Sequence, residues 1–345
     1  MSKQNVAVIF GGASNEYEVS LKSSYAVVEA LGDDYNVIKI GITKNGEWYE
    51  YRGENKKILN NTWSKDLSYL NKLNICLESK CFYSNEKINI DVAFIALHGR
   101  NGEDGRVQGL LDLLDIPYTG CDVLSSALCM DKFKSHLLVE KYGVKTANKL
   151  YFKETDNIDY QSIRSLNLPL YIKPINSGSS IGITRIESYD LLEQAINDAF
   201  LVDSQLVVEE EVKGYEVGCA IVGNEDIFIG NVDKVELQTK FFSFEEKYQQ
   251  EHSKIRSLNE DAILVEQIKK EALTIYQALG CSGFARIDMF VSSNNEIYFN
   301  EVNTIPGFTN ESRYPKMMKE AGISFKNLVT LIIRAALSKK DLKLT

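Results

Sequence analysis

Two neighbouring stretches carry four side chains whose types and spacing suit phosphate chemistry. In Ala285-Arg286-Ile287-Asp288-Met289-Phe290, Arg286 and Asp288 stand two residues apart, so a strand projects both from one face. Ile297-Tyr298-Phe299-Asn300-Glu301-Val302-Asn303 repeats that spacing with Glu301 and Asn303. A turn from Ser292 to Asn295 folds the strands into a hairpin and lets Asp288, Glu301 and Asn303 converge. Three oxygen ligands with no Cys or His suit a hard cation, Mg2+ or Mn2+, completed by waters and phosphate oxygens. A solvated sheet face is the bland alternative, and it fits strands this apolar badly. Arg286, always charged, can stabilise a developing oxyanion, and Gly307 just beyond the second strand can add a backbone N–H.

A second group surrounds a glycine- and serine-rich loop. Tyr171-Ile172-Lys173-Pro174 puts a charge in an otherwise buried segment, and a buried lysine needs an anion. The loop that follows, through Ser177-Gly178-Ser179-Ser180, offers N–H groups and hydroxyls to phosphates. It also matches the GxSxG pattern of serine hydrolases. That elbow requires a helix after it, whereas Ile181 to Thr184 continues with strand-like alternation, and the chain has only three histidines. His98-Gly99-Arg100-Asn101-Gly102-Glu103-Asp104-Gly105 follows an apolar strand at its carboxyl end, where ligands gather in α/β sheets. Glu16 follows the first strand in the same way, so Glu16 and His98 are expected to share a pocket, an incidental turn being the alternative. Phe241 to Tyr248, aromatic and then very polar, reads as a lid with Lys247 and Tyr248 reaching inward, or as an edge strand with an exposed loop.

The elements that must position these groups follow from apolar spacing. Strands are expected over 6–10, 35–42 and 92–97, with helices over 18–31 and 105–114, a parallel sheet with covering helices. Residues 45–90 are polar, tyrosine-rich and poorly legible. A new unit begins after Lys132: a helix over 133–142, short strands over 170–173 and 181–186, a helix over 187–200 and a strand over 205–210. From Gly214 come more strands, a long helix over 262–279, strands over 285–291 and 296–302, and a closing helix near 325–337. The 345 residues leave room for two or three domains. Lys plus Arg is 39 against 48 Asp plus Glu, a charge of −9, which disfavours nucleic-acid binding. No apolar run approaches the roughly 20 residues of a membrane span, and no signal peptide is apparent, so a cytoplasmic protein with no membrane partner is expected. The six scattered cysteines read as buried thiols.

Gly11-Gly12 with Glu16 to Ser20, His98 to Gly109, Met130-Asp131-Lys132, Lys173 to Ser180, Lys247-Tyr248, Arg286 to Asp288 and Glu301 to Gly307 together resemble the D-alanine–D-alanine ligases of the ATP-grasp superfamily. The resemblance spans nearly the whole chain and is weakest over 45–90. It implies an α/β fold of three domains: an N-terminal parallel α/β domain over 1–131, then α+β units over 132–213 and 214–345 that enclose ATP. Lys132 and Lys173 would hold ATP phosphates under the Ser179 and Ser180 loop, Glu209 would meet the adenine amino group, and Glu216 the ribose. Asp288, Glu301 and Asn303 would bind two Mg2+ or Mn2+ ions, and Lys247 would reach the transferred phosphate. Glu16 would hold the ammonium of the first D-alanine, with His98 near its carboxylate, and Glu16, Ser179 and Tyr248 would latch the lid.

The implied chemistry is an acyl phosphate formed from the first D-alanine, then attack by the amine of a second amino acid. Arg286 and the Gly307 N–H would hold the oxyanion. The product would serve peptidoglycan precursor synthesis, and a homodimer is the usual assembly in the family. One departure stands out. Ser312-Arg313-Tyr314-Pro315 carries Arg313 where D-alanine-specific members usually have an apolar residue, often leucine. With Phe242 and Asp233, and with Glu216-Val217-Gly218-Cys219-Ala220, it looks like the serine-accepting ligases of glycopeptide-resistant bacteria, the VanG type. D-Ala–D-Ser synthesis with residual D-Ala–D-Ala activity is therefore expected. A housekeeping D-Ala–D-Ala ligase and a non-catalytic ATP-binding scaffold are the alternatives.

Overall fold

The structure, a computed structural model, describes residues 3–176, 178, 181–237 and 253–342. Ser179, Ser180, Phe242, Lys247 and Tyr248, and the lid expected around the last three, lie outside these residues.

The first sheet is built on β1 (Asn5–Gly11), whose Val6 to Phe10 are wholly buried, as expected of a central parallel strand covered on both faces. It pairs in parallel with β2 (Asn36–Ile42) and with β8 (Val92–Ile95). Helix α1 (Tyr17–Leu31) covers it through Leu21, Val27, Val28 and Leu31. Gly11 is required at the exit of β1. Its φ is +87°, and a Cβ there would lie 2.1 Å from the Ile42 carbonyl oxygen.

The poorly legible stretch extends this sheet. β3 (Trp48–Tyr51) and β4 (Leu70–Lys72) add antiparallel strands beyond β2, while β5 (Asn74–Cys76), β6 (Cys81–Tyr83) and β7 (Lys87–Ile88) form a small sheet. After the short α2 (Asn55–Leu59), Trp63 is fully buried against Phe10 and donates its indole N–H to Tyr17 Oη at 3.0 Å.

Helices α3 (Arg106–Leu113), α4 (Val123–Met130) and α5 (Lys132–Glu140) lead onward. Asp122 caps α4 by accepting from the Ser125 N–H, and Asp131 caps α5 by accepting from the Lys134 N–H. The second sheet is antiparallel. It holds β10 (Lys149–Lys153), β13 (Gln205–Glu210), β11 (Leu170–Pro174) and β12 (Thr184–Ile186) in that order, backed by α6 (Tyr160–Arg164) and α7 (Leu192–Phe200). The expected strand over 181–186 begins only at Thr184, because Gly182 takes a φ of +72° in the turn before it. β11 and β12 pair antiparallel, and a strand rather than a helix is the first element after the glycine- and serine-rich stretch.

The third sheet runs β16 (Ser253–Ser257), β15 (Phe228–Leu237), β14 (Gly214–Val222), β17 (Phe284–Ser292), β18 (Ile297–Asn303) and β9 (Lys145–Thr146). Its core takes Leu264, Ile268, Ala272 and Ile275 from α8 (Ala262–Ala278). The chain then returns to the first sheet. Helices α9 (Arg313–Glu320) and α10 (Phe325–Leu342) share its core, where Phe284, Phe308 and Tyr314 pack beside Phe94. The six cysteines are free thiols, five of them buried. Among the described residues no single helix is long and apolar enough to cross a membrane.

Candidate active site

A cleft of about 690 Å³ opens where the carboxyl ends of the first sheet face the polar side of the third. It brings together Glu16 and His98 from the first sheet, Lys132 from α5, and Glu216, Asp233, Arg286, Asp288, Glu301 and Asn303 from the third. Gly307, Ser312 and Arg313 complete the wall.

The convergence on the third sheet follows from strand register. Arg286 pairs with Asn303 and Asp288 with Glu301 across β17 and β18, so all four project from one face. A β-bulge after Asp288 and Glu301 shifts the register, so that Met289 pairs with Phe299. Without it Phe299, two residues from Glu301, would share the polar face. With it, Phe299 and Val302 both enter the core. The bulged residue, Asn300, lines the cleft and its carbonyl accepts from His136 Nε2 at 2.7 Å. Sequence spacing alone misses Asn300, because a bulge leaves no mark on the alternation.

Arg286 grips Asp288 with two bonds, Nε to Oδ1 and Nη2 to Oδ2, each 2.7 Å. Asn303 Nδ2 donates to the same Oδ2 at 2.8 Å. Arg313 is held more fully still. Its Nε and Nη2 fork onto Asp233 at 2.9 and 2.7 Å, and its Nη1 donates to Glu216 Oε1 at 2.7 Å. Asp233 and Asp288 are 4 % and 2 % exposed. Desolvation opposes each buried guanidinium's charge, but the adjacent carboxylate outweighs it and holds the group cationic.

The first-sheet side is joined to the third by one loop. His98 Nδ1 donates to the Ile305 carbonyl at 2.8 Å, so Nε2 accepts from Ser23 Oγ at 2.9 Å. Ser23 Oγ in turn accepts from the Phe308 N–H. Burial lowers the His98 pKa, in keeping with a neutral ring. Glu103, to which sequence spacing assigns no role, accepts from the N–H of Gly99 at 2.8 Å and of Ile305 at 3.1 Å. Burial, reinforced by the charge of Glu16, pushes its carboxyl up to about 8. The main chain on either side of Gly307 is thus clasped from the first sheet. A Cβ built on Gly178 would lie 3.4 Å from Glu16 Oε2, so Gly178 faces Glu16.

Lys173 and Glu209 do not line this cleft; they form a buried pair on the second sheet, Nζ to Oε2 at 2.6 Å. The anion that a buried lysine requires is supplied here by the neighbouring strand. Burial raises the Glu209 carboxyl, but Lys173 and His136 outweigh it and bring it down to about 2. Among the described residues His136 Nδ1 has no hydrogen-bond partner, and it stands 3.9 Å from Glu209 Oε1.

The donor set fits a hard cation in kind. Two carboxylates and an amide face one cleft, and Asn303 spends only its NH2 group on Asp288, leaving its carbonyl oxygen as a donor. Among the described residues no group of three or more His, Cys, Asp or Glu side chains is placed to hold a metal.

Comparison with known proteins agrees with this arrangement. Residues 5–121 match the family model for the D-ala D-ala ligase N-terminus, and residues 137–334 match that for the C-terminus. The vancomycin C-type resistance protein VanC1 of Enterococcus gallinarum is 42 % identical over 98 % of this chain and 99 % of its own. D-alanine–D-alanine ligase B of Clostridium tetani is 38 % identical over 99 % of this chain and 95 % of its own. The crystal structure of the VanG D-Ala:D-Ser ligase from Enterococcus faecalis superposes with a TM-score of 0.90 at 46 % identity, over 97 % of this chain and all of its own. The chain belongs to the D-alanine–D-alanine ligase family, enzymes of the ATP-grasp fold that join D-alanine to a second amino acid.

Proposed function

We propose that this ligase prefers D-serine as its second substrate and makes D-Ala–D-Ser for peptidoglycan precursors, with D-Ala–D-Ala as a minor product. The observation that carries this reading is the Arg313 guanidinium, forked onto Asp233 in the wall of the cleft. Three of its five N–H donors go to Asp233 and Glu216, leaving two among the described partners. A serine hydroxyl can accept one of them, whereas a methyl group leaves it unpaired. A pocket that hydrogen-bonds a hydroxyl rejects the analogue lacking it. The likeness to the VanG D-Ala:D-Ser ligase, 46 % identical, supports this reading, beside 38 % identity to a D-alanine–D-alanine ligase of Clostridium tetani.

In the reaction Glu16 holds the ammonium of the first D-alanine, with His98 beside its carboxylate through the clasped loop. Lys132, Lys173, Glu209 and Glu216 hold ATP, and the Lys173–Glu209 pair opens as nucleotide enters. Ser179 and Ser180, and with them Lys247 and Tyr248, close over the phosphates, and Glu16, Ser179 and Tyr248 form the latch. Asp288, Glu301 and Asn303 would hold two Mg2+ or Mn2+ ions, whose charge would offset that of the phosphates. Arg286 and the Gly307 N–H receive the oxyanion, and Ser312, Arg313, Phe242 and Asp233 belong to the second-substrate site. Positioning and charge neutralisation supply most of the rate. The chain divides into units over 1–131, 132–213 and 214–345, and acts in the cytoplasm as a homodimer.

The test is ADP release with ATP, Mg2+ and D-alanine, with and without excess D-serine, products resolved by mass. Mostly D-Ala–D-Ser in the mixture is expected; D-Ala–D-Ala alone overturns the serine assignment and leaves the ligase standing.

A further inference from the structure

Gly218 occupies the centre of β14, the central strand beneath the two guanidinium clusters. It pairs with Asp233 on β15 and with Asp288 on β17, so it stands between the carboxylates that hold Arg313 and Arg286. Its N–H donates to Asp233 Oδ1 at 3.0 Å, the oxygen that also receives Arg313 Nη2. A glycine within a strand sacrifices side-chain packing and backbone entropy relative to alanine, so its place in this lattice calls for a physical reason. The geometry supplies one. A Cβ built on Gly218 would lie 2.7 Å from Arg313 Nη2, 2.7 Å from Asp233 Oδ1 and 3.3 Å from Asp288 Oδ1. The guanidinium lies over β14 in the space that a side chain would take.

We propose that Gly218 is a specificity-determining residue of the ligase: its bare Cα is the floor on which Arg313 lies, and any side chain there displaces the guanidinium from the acceptor pocket. This rests on the assignment of Arg313 to the second substrate. Arg313 cannot yield cheaply, since three of its N–H groups are tied to two carboxylates, and the fork onto Asp233 and the bond to Glu216 would have to break together. Asp233 cannot yield either, because it is buried and bonded to the Gly218 backbone. Displacement of a positioning group by even 1 Å can cost about a hundredfold.

The test is a double-mutant cycle between Gly218→Ala and Arg313→Leu, read as kcat and KM for each substrate. Gly218→Ala is expected to raise the KM for the second amino acid and to lower kcat/KM for D-serine about 10- to 100-fold. The KM for ATP and for the first D-alanine should move less than threefold. In the Arg313→Leu background the same change should have no further effect, because the group it displaces is gone. Equal losses in both backgrounds, or a uniform rise in every KM, overturn the proposal. If Gly218→Ala alone does not fold, recovery of folding in the double variant supports the clash with Arg313, and failure of both overturns it. The cycle is independent of which acceptor the wild type prefers. A wild type that favours D-alanine removes the serine reading, while a non-additive cycle on the D-alanine KM still upholds Gly218.

Discussion

The second and third sheets each bury a cation against a carboxylate, in ways that differ in kind. On the second sheet Lys173 meets Glu209 through a single contact. On the third, Arg286 and Arg313 each fork onto an aspartate with two parallel bonds, and Arg313 gains a third carboxylate bond besides. An ammonium is a point charge on a flexible stem and exchanges one anion for another by rotation. A guanidinium is a planar fork whose bonds break together. The lysine pair is therefore suited to open for an incoming phosphate, and the arginine pairs to keep their geometry while substrates come and go.

The difference can be broken from either side. The largest effect is expected at Arg286. Arg286→Lys retains the charge but loses the fork, and kcat should fall about 100- to 1000-fold with substrate KM values nearly unchanged, as for other oxyanion donors. Arg313→Leu should leave overall ligation intact and lower the D-serine to D-alanine preference about 10- to 100-fold, measured as the ratio of kcat/KM values. Lys173→Gln should raise the KM for ATP about tenfold and leave amino-acid preference where it was, which separates the two sheets kinetically. The last effect is on stability rather than on turnover. Glu103 has its carboxyl raised to about 8, so the folded state holds a proton that the unfolded state has lost above its ordinary value near 4.5. Stability should therefore fall as pH rises between those values, by at most about 1.4 kcal/mol per pH unit. Denaturant titrations at pH 5 and pH 8 should show the fall in the wild type and less of it in Glu103→Gln.

Much of this site could be read from the sequence because it depends on period-two spacing. Arg286 and Asp288, then Glu301 and Asn303, announce a shared face as soon as their segments are recognised as strands, and β17 and β18 bear that out. The first sheet was equally plain where its strands are uniformly apolar. Features that depend on distant partners stayed hidden. The bulge at Asn300 shows only in register. Glu103 gains its role from Ile305, 202 residues away. Lys173 spoke of a missing anion, and the nearest one turned out to be Glu209 on the adjoining strand. The segment from 45 to 90 defeated pattern reading because its strands are only two to four residues long, and a single tryptophan, Trp63, anchors much of it.

The most direct test is the product ratio of Arg313→Lys beside the wild type, in competition between D-serine and D-alanine as acceptors. If a forked guanidinium held on Asp233 and Glu216 selects the acceptor, lysine should lower the D-Ala–D-Ser share nearly as far as leucine does, although the charge is kept. A lysine variant with the wild-type ratio would contradict this, and would show that positive charge alone makes the choice.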